Sequence, residues 1–182
     1  MSKSVALLLV KAHSNRLPQK NTRDFNGKPM FLVNVEKCLK LFEEVYVSSD
    51  SDEIINQATR VGAIGIKRPD DLCGDTPNIP VYRHAMRYMG YVDNIIAVQA
   101  NSPTVDINTI ALVKRMMEDF GIEEIMTCHP DYSIYGSVWG IYKYRLTNYG
   151  DPYHPTPDVL VVDPSTDIHT ESDFKEAQQC LL

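Results

Sequence analysis

Short apolar runs rich in β-branched residues alternate along the chain with stretches whose apolar positions recur every three or four residues, the pattern of strands alternating with amphipathic helices. The first run, Val5-Ala6-Leu7-Leu8-Leu9-Val10, has no polar position to turn toward solvent and reads as a buried strand over 5–11. Phe31, Val35, Leu39 and Phe42 follow at helical spacing behind Pro29, whose fixed φ suits a first helical position. Val45-Tyr46-Val47 is a second strand, Ser51 stands where an N-cap belongs ahead of a helix over 53–61, and residues 63–66 make a short third strand. A helix over 76–89 accommodates Pro77 and Pro80 because both fall in its first turn. Ile95-Ile96-Ala97-Val98 is a fourth strand, and Asp106 caps a helix with Ile110, Val113 and Met117 on one face. Strands recur at 125–128, 138–144 and 159–162, and Thr170-Glu171-Ser172-Asp173 opens a last helix with a capping box that has Asp in place of Glu. Such βαβ units wind into a mostly parallel, Rossmann-like sheet with helices on both faces, so the expected fold is an α/β three-layer α/β/α sandwich.

Residues 147–158 set Pro152, Pro155 and Pro157 among Asn, Gly and Asp and read as a surface loop able to act as a lid. With 182 residues, the chain has the length for a single domain over 1–182 and would be cramped as two. Hydrophobic residues at 43% and charged residues at 23% exclude the disordered and fibrous classes. The net charge of −6 disfavours nucleic acid or an anionic membrane as partner for the whole surface. That charge is uneven: Lys3, Lys11, Arg16, Lys20, Arg23 and Lys28 face Asp24 alone within residues 1–28, an excess of +5, which leaves −11 on the rest. A small anionic ligand at the N-terminal end is the first possibility this raises. Cys38, Cys73, Cys128 and Cys180 form no C-x-x-C pair, so neither a zinc site nor a disulfide scaffold is encoded locally, and a reduced cytoplasmic protein is expected. The first apolar run is too short to cross a bilayer and has no small-residue cleavage site behind it, which argues against a signal peptide.

The loop from Lys11 to Asn21 leaves the carboxyl end of the first strand, where open α/β sheets gather ligands, and carries Lys11, Arg16 and Lys20 among small polar residues. Each charge-assisted hydrogen bond contributes roughly 1.5–3 kcal/mol, so three cations can neutralise most of a triphosphate. A solvated basic loop is the plainer reading of the same residues. There is no G-x-x-x-x-G-K-[ST], which argues against a Walker-type NTPase, and no G-x-G-x-x-G to support dinucleotide binding.

The segment 11–21, with Gly27-Lys28-Pro29 behind it, resembles the opening of the acylneuraminate cytidylyltransferases, the CMP-sialic acid and CMP-Kdo synthetase group. Four more segments match in order: Val47-Ser48-Ser49-Asp50-Ser51-Asp52-Glu53-Ile54, the stretch from Arg68-Pro69 to Asp75-Thr76, Val98-Gln99-Ala100-Asn101-Ser102-Pro103, and Asp167-Ile168-His169-Thr170-Glu171-Ser172-Asp173-Phe174. The resemblance implies transfer of a cytidylyl group from CTP to an acidic sugar with magnesium, releasing pyrophosphate. It implies that Lys11, Ser14, Arg16 and Lys20 face the triphosphate, with Lys20, Arg16 and Lys11 as catalytic cations and Lys20 the principal stabiliser. Asn21, Arg68, Gln99 and Ser102 would bind the cytidine half, and Asp167, with His169, would hold Mg2+. Lys20 is expected to be an exposed loop cation of little weight in stability. Runner-up readings are a nucleotide-binding protein that has lost transfer activity and a relative using another triphosphate.

Three departures from the family's pattern carry consequences. Lys11 replaces an Arg, keeping charge but losing bidentate geometry. His169 replaces the second carboxylate of the metal motif, and imidazole is a poor magnesium ligand, so weak metal affinity is expected. Between the strands near Cys128 and Tyr142 just 129–138 remain, where the family inserts a dimerisation hairpin and acceptor-binding elements. The chain is therefore expected to be a monomer or a homodimer unlike the family's usual one, and sialic acid is disfavoured as acceptor. Tyr132, Tyr135, Trp139, Tyr142, Tyr144, Tyr149 and Tyr153 crowd this part of the chain. They read first as edge-strand packing and second as an acceptor pocket or subunit interface.

Overall fold

The structure, a computed structural model, describes residues 2–14, 16–150 and 157–181. The centre of the proline-rich stretch proposed as a lid, with Pro152, Tyr153, His154 and Pro155, therefore lies outside the described residues, as does Asn15 in the basic loop. Seven strands form one sheet: β1 (Ser4–Val10), β2 (Val45–Ser49), β3 (Ile64–Lys67), β4 (Asn94–Val98), β5 (Glu124–Cys128), β6 (Ile134–Tyr142) and β7 (Val159–Val162). Their spatial order is β3-β2-β1-β4-β6-β5-β7, every pairing parallel except those of β6 with β4 and β5. The apolar run of β1 is explained by its place: it lies between β2 and β4, with Leu8 beside Val47 and Ala6 beside Ile96, and is covered on both faces.

Alternate residues of β1 serve two cores. Ala6, Leu8 and Val10 pack with α1 (Met30–Leu39), α2 (Asp52–Arg60) and α4 (Ile107–Phe120), while Val5 and Leu7 pack with α3 (Asn78–Met86) and α5 (Lys143–Thr147). The three-layer α/β/α sandwich is thus present. α6 (Glu171–Cys180) stands apart, with Phe174 and Ala177 against Leu17, Phe25 and Met30 of the segment behind β1. Its start is the capping box read from sequence, Thr170 accepting from the Asp173 N–H and Asp173 from the Thr170 N–H.

Two elements differ from the periodicity. The helix expected over 76–89 occupies Asn78–Met86, and the strand expected over 138–144 starts at Ile134 and stops at Tyr142, where α5 begins. That helix has five residues, too few to form on propensity, and it owes its place to tertiary contacts: Leu146 is buried, and Arg145 bonds Glu124 at 2.9 Å and Asp158 at 2.8 Å. From β1 the chain winds outward to β2 and β3, then crosses back to β4 on the other side. The direction of winding reverses between β1 and β4, so the loops leaving their carboxyl ends diverge there and open a crevice.

Candidate active site

The loop behind β1 is folded onto itself. The Ala12 N–H donates to Asp50 Oδ1 at 2.8 Å, fixing its exit beside β2, and the Leu17 N–H donates to Ser14 Oγ at 3.4 Å. Gln19 takes a left-handed conformation (φ 53°) that turns the chain into a single 3-10 turn over Lys20–Thr22. Asn21 closes the ring, its Nδ2 donating to the Lys11 carbonyl at 2.9 Å, while its Oδ1 is buried with no partner among the described residues. A buried acceptor without a donor is costly, and it belongs where a ligand can satisfy it.

A cavity of about 380 Å³ lies over this ring at the β1–β4 crevice. Of the residues singled out in the sequence, Lys11, Ser14, Arg16, Lys20, Asn21, Gln99 and His169 line it. The +5 excess of the N-terminal segment resolves accordingly: Lys3, Arg23 and Lys28 are paired with Glu44, Glu171 and Glu36, whereas Lys11, Arg16 and Lys20 face the cavity. Lys20 is not the exposed cation expected. It is buried, its ammonium donates to the Ile168 carbonyl, and burial lowers its pKa against the opposing pull of Asp167. The sequence signals charge but not that α6 and residues 163–169 fold back over this lysine.

The far wall comes from those residues. Arg16 Nη1 lies 2.9 Å from His169 Nδ1, His169 Nε2 lies 2.9 Å from Asp167 Oδ2, and Asp167 accepts from the Asn101 side-chain amide. Arg16 Nη1 also lies 3.4 Å from His169 Nε2, so the guanidinium stands against both ring nitrogens rather than on the axis of one lone pair. Burial raises the Asp167 pKa, and His169, Lys20 and Arg16 offset only part of that.

Three residues from the sequence do not line the cavity. Arg68 is buried, donating from Nε to Ser48 Oγ at 3.0 Å and from Nη2 to the Ser48 carbonyl at 2.7 Å; burial lowers its pKa. Ser102 is buried and its hydroxyl accepts from Tyr135 at 2.7 Å. Asp167 reaches the cavity through His169 and Asn101. Conversely, Asn78 at the start of α3 and Asn101 line the cavity without having been singled out. Asn101 lies inside a matched segment, so its signal was present; an asparagine at a helix start reads as a cap. The aromatic stretch divides, with Trp139 buried and bonded to Glu124 while Tyr132 and Tyr144 are exposed.

A family model described as cytidylyltransferase matches residues 5–137. The chain belongs to the cytidylyltransferase family. The matched span contains Lys11 to Ser102, while Asp167 and His169 lie beyond it. A 3-deoxy-manno-octulosonate cytidylyltransferase of Christiangramia forsetii is 31% identical over 124 residues, covering 66% of this chain and 48% of that protein. The chain spans about half the length of the curated relatives it matches. Among solved structures, a CMP:2-keto-3-deoxy-manno-octonic acid synthetase complexed with CTP superposes with a TM-score of 0.78 at 17% identity, covering 99% of this chain and 98% of that one. A Mycobacterium tuberculosis H37Rv protein in complex with manganese gives 0.71 at 12%, covering 98% and 99%. At these identities the two superpositions establish the shared fold.

For a divalent ion, the donor set fits one mode. Among the described residues no group of three His, Cys, Asp or Glu side chains could cage a metal. Asp167 offers one carboxylate near the cavity, and magnesium is ordinarily bound by one or two carboxylates together with substrate phosphates. The residues fit an ion that arrives with a triphosphate.

Proposed function

We propose that this cytidylyltransferase-family chain transfers CMP from CTP to a sugar acid or a related small metabolite, releasing pyrophosphate, as one nucleotidyltransferase unit over 1–182 working in the cytoplasm. The observation that carries the reading is the cavity at the β1–β4 crevice, where Lys11, Arg16 and Lys20 converge on a space sized for a nucleotide. The names of the relatives support CTP and an acidic sugar as reactants.

In the reaction an acceptor hydroxyl oxygen bonds to the α-phosphorus, the bond to the β-phosphate oxygen breaks, and the hydroxyl proton is lost. Negative charge grows on the departing pyrophosphate, and fixed cations in a partly buried site stabilise it more than water does. Lys20, desolvated and held against the Ile168 carbonyl, is preorganised for this; Arg16 and Lys11 flank it, and Ser14 adds a hydroxyl donor. Asn21 and Gln99 on the cavity wall, with Arg68 and Ser102, are assigned to the cytidine half; the Asn21 Oδ1, without a partner among the described residues, supports a donor group there. Asp167, with His169 beside it, would hold a divalent ion, taken as Mg2+, which supplies charge neutralisation at the α-phosphate when bound. The manganese of the structural neighbour supports a divalent ion.

A nucleotide-binding protein without transfer activity is favoured by one observation, the pairing of His169 with both Arg16 and Asp167 where a second carboxylate would serve a metal better. Thermal shifts with CTP, GTP, UTP and ATP plus magnesium test the nucleotide, since stabilisation follows binding to the folded state. CTP is expected to give the largest shift, and a larger one with another triphosphate overturns the base assignment. Pyrophosphate release with CTP over a panel of sugar acids then separates transferase from binder.

A further inference from the structure

The two walls of the cavity come from different strand ends: the turn holding Gln99, Asn101 and Ser102 behind β4, and the strap 163–169 behind β7. These strands are not neighbours, since β6 and β5 lie between them. Tyr135, near the start of β6, spans the gap. Its hydroxyl donates to Ser102 Oγ at 2.7 Å and lies 3.2 Å from Ser165 Oγ. We propose that Tyr135 is a positioning residue, its hydroxyl bridging Ser102 and Ser165 so that the strap presents Asp167 and His169 at the cavity.

The chemistry of the surrounding hydroxyls supports this. Ser137 and Ser165 both donate to Asp163 Oδ2, and a carboxylate accepts without donating, so each spends its proton there. Their oxygens are left as acceptors, Ser137 toward Thr127 at 2.8 Å and Ser165 toward Tyr135. Asp163 is itself buried, and its N–H is fixed to the Cys128 carbonyl at 2.9 Å. The Ser137 and Ser165 hydroxyls therefore have set directions, and the single Tyr135 proton is shared between Ser102 and Ser165 on either side of the gap. The ring is held too, stacked on His129 with centroids 4.5 Å apart and planes 11° off parallel. Beyond Ser165, the strap is tied by the Ile168 N–H to the Asn101 carbonyl at 2.9 Å, the bond that the bridge would keep in register.

The inference rests on the proposed function for its consequence but not for its geometry, and the test separates the two. Tyr135→Phe removes the hydroxyl and keeps the ring. In the ligand-free protein, hydrogen exchange at the Ile168 amide should quicken about tenfold in this variant and in Ser165→Ala, with the β1 amides unchanged. In calorimetry, the factor by which magnesium tightens CTP binding should fall about fivefold or more, with magnesium-free CTP affinity kept by the loop cations. Tyr132→Phe, an exposed neighbour, should change neither reading. Unaltered exchange at Ile168 overturns the bridge whatever CTP does; faster exchange with intact magnesium coupling overturns its role toward Asp167. Wild-type protein that fails to bind CTP overturns the cytidylyl reading, and the exchange result still decides the bridge.

Discussion

At the scale of single residues, the site stores unfavourable electrostatics. Burial raises the Asp167 pKa, so the folded state penalises its ionised form; that cost is present at neutral pH and vanishes as pH falls below the ordinary carboxylate value. Asp167→Asn should therefore abolish turnover, leave CTP bound through the cations, and raise Tm by about 2–4 °C at pH 7, with the gain disappearing near pH 4. A variant with normal turnover, or one less stable at pH 7, contradicts the account. Lys37 gives the opposite sign. It donates to the Pro103 carbonyl at 2.6 Å and the Val105 carbonyl at 2.7 Å, strapping α1 to the chain behind Ser102, and burial pushes its pKa down to about 8. Between that value and the ordinary 10.5 the unfolded chain binds the extra proton, so the stability of the wild type relative to Lys37→Met should rise with pH across this window in urea denaturation. A pH-independent difference would show that the ammonium stays charged.

At the scale of elements, packing between layers decides what the sheet tolerates. Gly140 of β6 faces α4, and a Cβ there would meet the Met117 sulfur and lie 2.8 Å from Val113 Cγ1. Gly140→Ala should cost about 1–3 kcal/mol in urea unfolding, because both side chains are buried and cannot swing away. A neutral effect would mean that α4 can lift from the sheet. The strands and the helices α1, α2, α4 and α6 were readable because caps such as Ser51, Asp106 and Thr170 and buried apolar runs are local signals. α5 was not, since its five residues are held by Glu124 and Asp158, contacts that no window of sequence contains. The same division runs through the site. Lys11, Ser14, Arg16 and Lys20 stand in one loop at the end of a recognisable strand, so their convergence followed from the strand. The burial of Lys20, the pinning of His169 by Arg16 and the Tyr135 bridge depend on chain segments more than twenty residues apart meeting over the crevice, and periodicity carries no trace of them.

At the scale of the whole molecule, charge and shape set how the chain meets its surroundings. β5 and β6 are joined by residues 129–133, a tight turn in which Tyr132 is left-handed and Asp131 accepts from the Ser133 N–H at 2.9 Å. No extension leaves the sheet at this point to wrap a second copy. The expected state in light scattering is a monomer or a dimer that dissociates on dilution, and a dimer that persists at every concentration argues against it. Electrostatics give a sharper test of the nucleotide reading. The protein is acidic, so the long-range field repels a triphosphate, and binding must rest on Lys11, Arg16 and Lys20 at short range. Salt shortens the Debye length from about 10 Å at 0.1 M to about 3 Å at 1 M, and the half-buried Lys11 and exposed Arg16 are screened over that range, the buried Lys20 less so. CTP affinity should accordingly fall about tenfold between 0.05 and 0.5 M salt. Lys11→Ala should flatten that dependence, whereas Arg23→Ala should leave it unchanged because Arg23 is already paired with Glu171. Equal slopes in all three proteins would mean that the phosphates do not meet the loop behind β1.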